Sequence, residues 1–266
     1  MATFRIEKFK LMHKKFILSL ADFISTFWKF IPFSLRRFIF TILFILESRD
    51  QKASKGLSRI FLIKDNLEWI INERAIVYGG GIHPKHRLTS YHNFFVERIK
   101  NGETVLDVGC GIGVVSISLA QARRKSKILG IDINKNNIDF ANKLSKEKAI
   151  KNINFICGDI NLQKNIKVDT LILSNILEHI NNRPKFIKQL KKITKADNYL
   201  IRVPLFERDW QLPLRKELKI YYFSDIDHKI EHTIEQFKKE MFKSELEIKE
   251  IYTIWGEIWA SCTNEI

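Results

Sequence analysis

Val105-Leu106-Asp107-Val108-Gly109-Cys110-Gly111-Ile112-Gly113 decides how this chain is read. An apolar run interrupted by one acid meets glycines at every second position and passes into a helix-like segment at about 113–124. That is the pattern of a buried strand entering a tight turn and leaving as a helix. Glycine tolerates positive φ and has no side chain, so a ligand can rest against main-chain N–H groups at the helix start. By itself such a turn suits a dinucleotide equally well.

Outward from this turn the chain alternates regularly. Strand-like apolar runs stand at 104–108, 127–131, 153–156, 168–173 and 198–203, with helix-like segments at about 113–124, 136–149 and 182–194 between them. A helix near 232–243 and two further strand-like runs, 246–254 and 257–262, close the sequence, with Gly256 as a tight turn or bulge between them. The alternation predicts an α/β fold: a Rossmann-like doubly wound sheet, mostly parallel with an antiparallel final strand, plus a helical N-terminal extension. Ligands of such a sheet bind at the carboxyl ends of its strands.

Acids fall at the ends of three consecutive strands: Asp107, Asp132 after Gly130-Ile131, and Asp159 after Cys157-Gly158. An acid at the second position can accept two hydrogen bonds from vicinal ribose hydroxyls. With the D-x-G-x-G-x-G run, these residues make the chain resemble the class I S-adenosylmethionine methyltransferases across about residues 79–262. The resemblance implies that Asp107, Gly109, Cys110, Gly111 and Gly113 cradle the aminoacyl part of the cofactor. It assigns the ribose to Asp132, with Ile133 beside it, and the adenine to Asp159 and Ile160, and it adds Ser174 to the cofactor set. In the segment Gly81 to His92, a covering arm before the core, it makes Arg87 and Tyr91 candidates for holding the methionine carboxylate.

Ser174-Asn175-Ile176-Leu177-Glu178-His179 resembles the fourth-strand segment of the small-molecule and quinone-methylating branch. His179 can serve as general base toward a substrate hydroxyl, since imidazole titrates near working pH, and Glu178 can orient it. The plain alternative is loop packing without chemistry. His228, in an aromatic-rich segment after Pro204 where the family builds its acceptor pocket, is a rival base. No metal is expected: Asn175 stands where metal-using relatives place an acid, and His83, His86 and His92 lack a fourth ligand.

The formal charge is +15, and residues 1–60 hold twelve Lys or Arg against four acids. Phe16, Ile17, Leu18, Leu20, Phe23, Ile24, Phe27 and Trp28 recur at helical spacing among Lys14, Lys15, Asp22 and Lys29. A second run, Phe38 to Leu46, is too short to span a bilayer, which needs about 20 helical residues. Residues 1–50 are therefore expected to lie on an anionic membrane surface or to cap the catalytic domain. No apolar core leads to a small-residue cleavage site, so the segment is expected to be retained. The division expected is 1–50, a linker and cofactor-covering arm at 51–90, and a catalytic domain at 91–266.

Three scattered cysteines form neither a metal pair nor a disulfide framework, so a cytoplasmic setting is expected, peripheral on the inner membrane face if residues 1–50 lie on lipid. The reading that follows is an S-adenosylmethionine-dependent methyltransferase acting on oxygen of a small or membrane-associated acceptor, such as a lipid-linked glycan or a prenylated quinone. The alternatives are an RNA or protein methyltransferase and a non-catalytic cofactor-binding module. Nucleic acid is disfavoured as a partner: the excess charge is interleaved with Phe, Ile and Trp, and no Pro-Pro-Tyr/Phe signature follows the fourth strand.

Overall fold

The computed structural model describes residue 16 and residues 19–265; Lys14, Lys15, Ile17 and Leu18 of the expected N-terminal helix lie outside these. The decisive run forms β1 (Thr104–Val108), which enters the glycine turn and continues as α6 (Val114–Ala122). Five parallel strands follow the expected boundaries closely. They are β1, β2 (Lys127–Asp132), β3 (Ile153–Cys157), β4 (Thr170–Ser174) and β5 (Asn198–Pro204). α7 (Lys135–Glu147) connects β2 to β3, and α8 (Arg183–Thr194) connects β4 to β5. With β6 (Leu246–Ile254) and β7 (Glu257–Asn264) the sheet has seven strands in the order β3-β2-β1-β4-β5-β7-β6, and β7 runs antiparallel to both its neighbours.

The order reverses at β1, which has β2 on one side and β4 on the other. Crossovers therefore leave β1 and β4 in opposite directions and open a crevice at their carboxyl ends. Register sharpens this: Val108 pairs with both Ile131 and Leu173, so the three strands end level and present their last residues together. Burial on both faces explains the nearly continuous apolar strands, as in β4, where Leu171, Ile172 and Leu173 are wholly buried. Each such side chain contributes about 1.5–3 kcal/mol relative to an exposed one. The β6–β7 connection is the tight turn expected at Gly256: Trp255 and Gly256 have φ of 55° and 74°, the paired positive values of a type I′ hairpin.

The chain packs as two compact units, Met1–Glu68 and Trp69–Ile266. In the first, residues 19–28 are helical (α1) and are followed by α2 (Phe33–Ser48). α3 (Ala53–Tyr78) is one helix of 26 residues that runs through the boundary, in a stretch expected as linker. Its first turns are polar but helix-compatible. The exception, Gly56, is required because a Cβ there would sit 2.0 Å from the Ser48 carbonyl oxygen. Arg59 closes the α2–α3 turn by donating to the carbonyls of Glu47 and Arg49 and to the Asp50 carboxylate. Among the described residues no helix is long and apolar enough to cross a membrane.

In the second unit two short helices, α4 (Lys85–Leu88) and α5 (Asn93–Arg98), precede β1. Between β5 and β7, α9 (Gln211–Glu217) interrupts the aromatic insertion, and α10 (Ile234–Lys243) begins with a capping box at Thr233 and Gln236. The loop before α10 is stitched to β5 by His232 N–H donating to Pro204 O and Phe206 N–H donating to His232 O. These bonds fix the segment that carries His228.

Candidate active site

Each glycine of the turn has its own physical reason. Gly109 (φ +66°) faces Ile176, whose Cδ1 would stand 1.9 Å from any added Cβ, and Gly113 (φ +78°) faces Phe155 at 2.6 Å. Gly111 is also left-handed, yet a Cβ there would meet nothing within 4 Å. Gly109 and Gly113 are thus dictated by packing, whereas Gly111 borders open space. Below the turn Asp107 is buried and accepts a hydrogen bond from Ser116 Oγ in α6. Burial drives its carboxyl up to about 7, against the Ser116 bond and with help from the charge of Asp132. Burial also pushes the Cys110 thiol up, so that residue is not a nucleophile.

Asp132 ends β2 and ties the turn to the next loop: Oδ2 accepts from Gly111 N–H at 2.8 Å and Oδ1 from Asn134 N–H at 2.7 Å. Asn134, not Asp132, caps α7. Asp159 receives Asn161 N–H and Nδ2 on the same oxygen, Oδ1, and so caps a short 3-10 turn over Ile160–Leu162. Both acids border a cavity of about 570 Å³ at the carboxyl ends of β1–β4. Of the residues expected from sequence, Gly109, Asp132, Ile133, Asp159, Ile160 and His179 line it. Its wall also holds Asn175, Ile176, Phe186 and Asp227, which the sequence reading had not assigned to the cofactor.

Asn175 had a local signal. It follows β4 at φ +56°, a left-handed conformation that Asn adopts more readily than most residues, and its buried Oδ1 has no hydrogen-bond partner. An unpaired buried carbonyl at a cavity wall is an acceptor waiting for a ligand donor. With the open space above Gly111 and the acid at the end of each of β2 and β3, the cavity fits an adenosine-bearing cofactor.

The arm is placed differently from its expected part in the site. Arg87 projects from the exposed side of α4, and neither it nor Tyr91 lines the cavity. Tyr91 Oη lies 2.6 Å from His86 Nδ1, and its ring carries the Arg202 guanidinium 4.2 Å from the centroid. His86 in turn meets His92, whose Nδ1 is 2.6 Å from Ser118 Oγ in α6. Burial holds both imidazoles down at about 4, so the pair is neutral near pH 7, and burial pushes the Tyr91 phenol up to about 12. Arg202, buried on β5, donates to Glu257 through Nε at 2.7 Å and to Ser174 Oγ at 3.3 Å. Ser174 is thereby bound to the β5 side, away from the cavity lining. Arg202 had no signal in sequence, since one Arg in an apolar strand is silent until its partners are known.

Past Ser174, a short turn over Leu177–His179 brings three titratable side chains together with the insertion. Glu178 is fully buried with neither carboxylate oxygen bonded, and burial raises its pKa to about 8. His179 reaches the cavity wall, its Nδ1 3.0 Å from Asp227 Oδ2 but without hydrogen-bond alignment. His228 Nδ1 is 3.0 Å from Glu231 Oε1. Burial works against the imidazolium of His228, but the Glu231 bond and the charges of Glu178, Glu231 and Asp225 outweigh it and raise its pKa. Glu231 is held down at about 2 despite burial, by His228, the Ser224 N–H and Arg208. Ligand atoms of Glu178, His179 and His228 lie within 4.8 Å of one another. The insertion is locked to this turn by Lys229 N–H donating to the Glu178 carbonyl at 2.7 Å.

Residues 99–256, more than half of the chain, match a family model described as a methyltransferase domain. The chain belongs to the S-adenosylmethionine-dependent methyltransferases. Solved structures agree on the fold. A magnesium protoporphyrin IX methyltransferase from Synechocystis, with S-adenosylhomocysteine bound, aligns over 68% of this chain and 82% of its own at TM-score 0.52 and 20% identity. A coclaurine N-methyltransferase, also holding S-adenosylhomocysteine, aligns over 62% of this chain and 51% of its own at TM-score 0.51 and 17% identity.

Among curated relatives, a ubiquinone biosynthesis O-methyltransferase of Dictyostelium discoideum is 29% identical over 44% of each chain. A probable (S)-tetrahydroprotoberberine N-methyltransferase of Papaver bracteatum is 30% identical over 41% of this chain and 31% of its own. A ribosomal protein L11 methyltransferase of Thermotoga maritima is 27% identical over 53% of this chain and 51% of its own. The matched stretch spans between 31% and 51% of these relatives' own length. The cofactor of this methyltransferase is S-adenosylmethionine; its acceptor is a separate question, because these relatives act on oxygen, nitrogen and protein.

Proposed function

We propose that this methyltransferase methylates a hydroxyl oxygen on a small or lipid-linked acceptor, of the kind represented by a lipid-linked glycan precursor or a prenylated quinone. The observation that carries the reading is His179 at the cavity wall, backed by Asp227 and flanked by the unpaired, buried Glu178. An oxygen nucleophile must lose a proton as it is methylated, and a positioned imidazole is the side chain suited to take it. When bound, S-adenosylmethionine supplies the activated methyl group.

Asp132 and Asp159 hold the ribose and adenine ends in this reading, and Gly111 leaves room for the rest. His179 accepts the hydroxyl proton, with the Asp227 carboxylate 3.0 Å from its Nδ1. His228, whose protonated form Glu231 stabilises, is the poorer base. The match to an O-methyltransferase of ubiquinone biosynthesis over 44% of the chain supports an oxygen acceptor.

The test begins with a titration of S-adenosylhomocysteine to establish the loaded state. Membrane extract is then incubated with S-adenosylmethionine labelled in its methyl group, and the lipid phase is examined by mass spectrometry. A labelled O-methyl species, lost with His179→Ala, is the expected result. Label confined to protein or RNA overturns the acceptor assignment.

A further inference from the structure

We infer that the hairpin of α1 and α2 lies in one leaflet of an anionic lipid surface and holds the chain there. α2 has sixteen residues, and none of them is buried. Ile42, Leu43, Phe44, Ile45 and Leu46 are consecutive, apolar and exposed, between 39% and 62%. Consecutive helical residues step by about 100°, so these five point in every direction around the axis. A protein partner, a second copy of this chain included, covers one stripe of a helix. Only a surrounding apolar phase wets the whole circumference.

The phase is entered from the side and not crossed. From Phe38 to Leu46 the helix is uncharged for nine residues, about 13 Å at 1.5 Å per residue, against a hydrocarbon core of about 30 Å. Both ends of the hairpin carry charge: Lys29, Arg36 and Arg37 by the α1–α2 turn, Glu47 and Arg49 at the far end. A hairpin lying flat satisfies both ends, because arginine and lysine stems extend along apolar surface while their heads reach water and phosphate. The turn is aromatic, with Phe30 83% and Phe33 71% exposed. The Arg36 guanidinium sits 5.9 Å from the Trp28 ring and 5.7 Å from the Phe33 ring, placing a cation among the aromatics. Twelve basic residues against four acids in residues 1–60 select an anionic surface over a neutral one.

This inference rests on the first unit and stands apart from the acceptor reading. The full chain is floated with vesicles of phosphatidylcholine alone and of phosphatidylcholine mixed with phosphatidylglycerol, at low and high salt. Flotation with the mixed vesicles, persisting in part at high salt, is expected, with weaker flotation on phosphatidylcholine. Leu43→Asp with Phe44→Asp should cut partitioning about ten-fold or more, with the S-adenosylhomocysteine affinity unchanged. Phe30→Ser with Phe33→Ser, at exposed positions in the turn, should also reduce it and guards against misfolding of the first variant. Arg36→Gln with Arg37→Gln should weaken only the preference for the anionic mixture. Flotation unaltered in both apolar variants overturns the inference. So does a wild-type chain that stays off vesicles as a dimer and becomes monomeric in the Leu43/Phe44 variant, which would assign the surface to a second copy.

Discussion

His179 and His228 meet edge to face, with ring centroids 4.7 Å apart and planes at 82°, and each faces a carboxylate of its own. His179 points to the exposed Asp227 and the cavity, whereas His228 points inward to the buried Glu231. The two rings are therefore inequivalent. One can exchange protons with a bound molecule, and the other is held by an internal ion pair.

The first expectation concerns that difference. His179→Ala should lower kcat by about 10²–10⁴ with S-adenosylhomocysteine affinity nearly unchanged, and the acid limb of the pH–rate profile should vanish. His228→Gln should cost less and keep the limb. Steady-state kinetics across pH with isothermal titration of the cofactor product measures both, and an intact acid limb in His179→Ala would remove that residue as base.

Asp132→Ala should weaken S-adenosylhomocysteine binding by about 1.5–3 kcal/mol, some ten- to a hundred-fold, through loss of a charged acceptor. The same carboxylate receives Gly111 and Asn134 N–H groups, so part of the loss comes from a slackened turn. Asp132→Asn, which keeps one accepting oxygen, should fall between. Calorimetric titration of the three proteins checks the order, and equal affinities would take Asp132 out of the site.

What was legible in sequence was whatever depended on local pattern. The strands of the sheet, the glycine turn and the acids closing β2 and β3 all arise from periodicity and from residues with unusual backbone freedom. A mostly parallel sheet with an antiparallel end followed from the alternation and the terminal pair of strands, whereas the strand order came from the structure. Contacts between distant segments were not legible. Glu231 reaches Arg208, and Arg202 reaches Glu257 and Tyr91, across separations that carry no periodic signal. α3 was underestimated for a different reason: polar residues in its first turns mask a helix that needs no apolar face there. Arg87 was chosen for its charge, and charge does not specify which way a short helix turns its side chains.

Gly109→Ala tests the packing argument. The added Cβ meets Ile176 and must also tolerate φ +66°, an L-residue penalty of about 1–2 kcal/mol before any clash. Cofactor affinity should fall sharply and Tm should drop. Adding Ile176→Ala should restore part of both by removing the clash while the backbone penalty remains. No recovery in the double variant, read by thermal melts and titration, would mean that Ile176 does not set the turn.

Glu178 gives the fold a pH dependence that can be measured without any acceptor. In the folded chain burial pushes its carboxyl up to about 8, while an unfolded glutamate stays near the ordinary value of about 4.5. The folded state thus holds the proton more tightly, and the stability this residue contributes is complete below about pH 4.5 and is lost as pH rises through about 8. Glutamine copies the shape and neutrality of the protonated acid. Glu178→Gln should accordingly match the wild type at acid pH and exceed it at alkaline pH, by at least about 1 kcal/mol, or roughly 2–4 °C in Tm for a chain of this size. Asp107, raised in the same direction to about 7, leaves a shallower decline in the variant. Melting curves of both proteins over roughly pH 5 to 9 decide the matter. Parallel curves, with no gap opening toward alkaline pH, would show that Glu178 ionises in the fold as freely as it does in water.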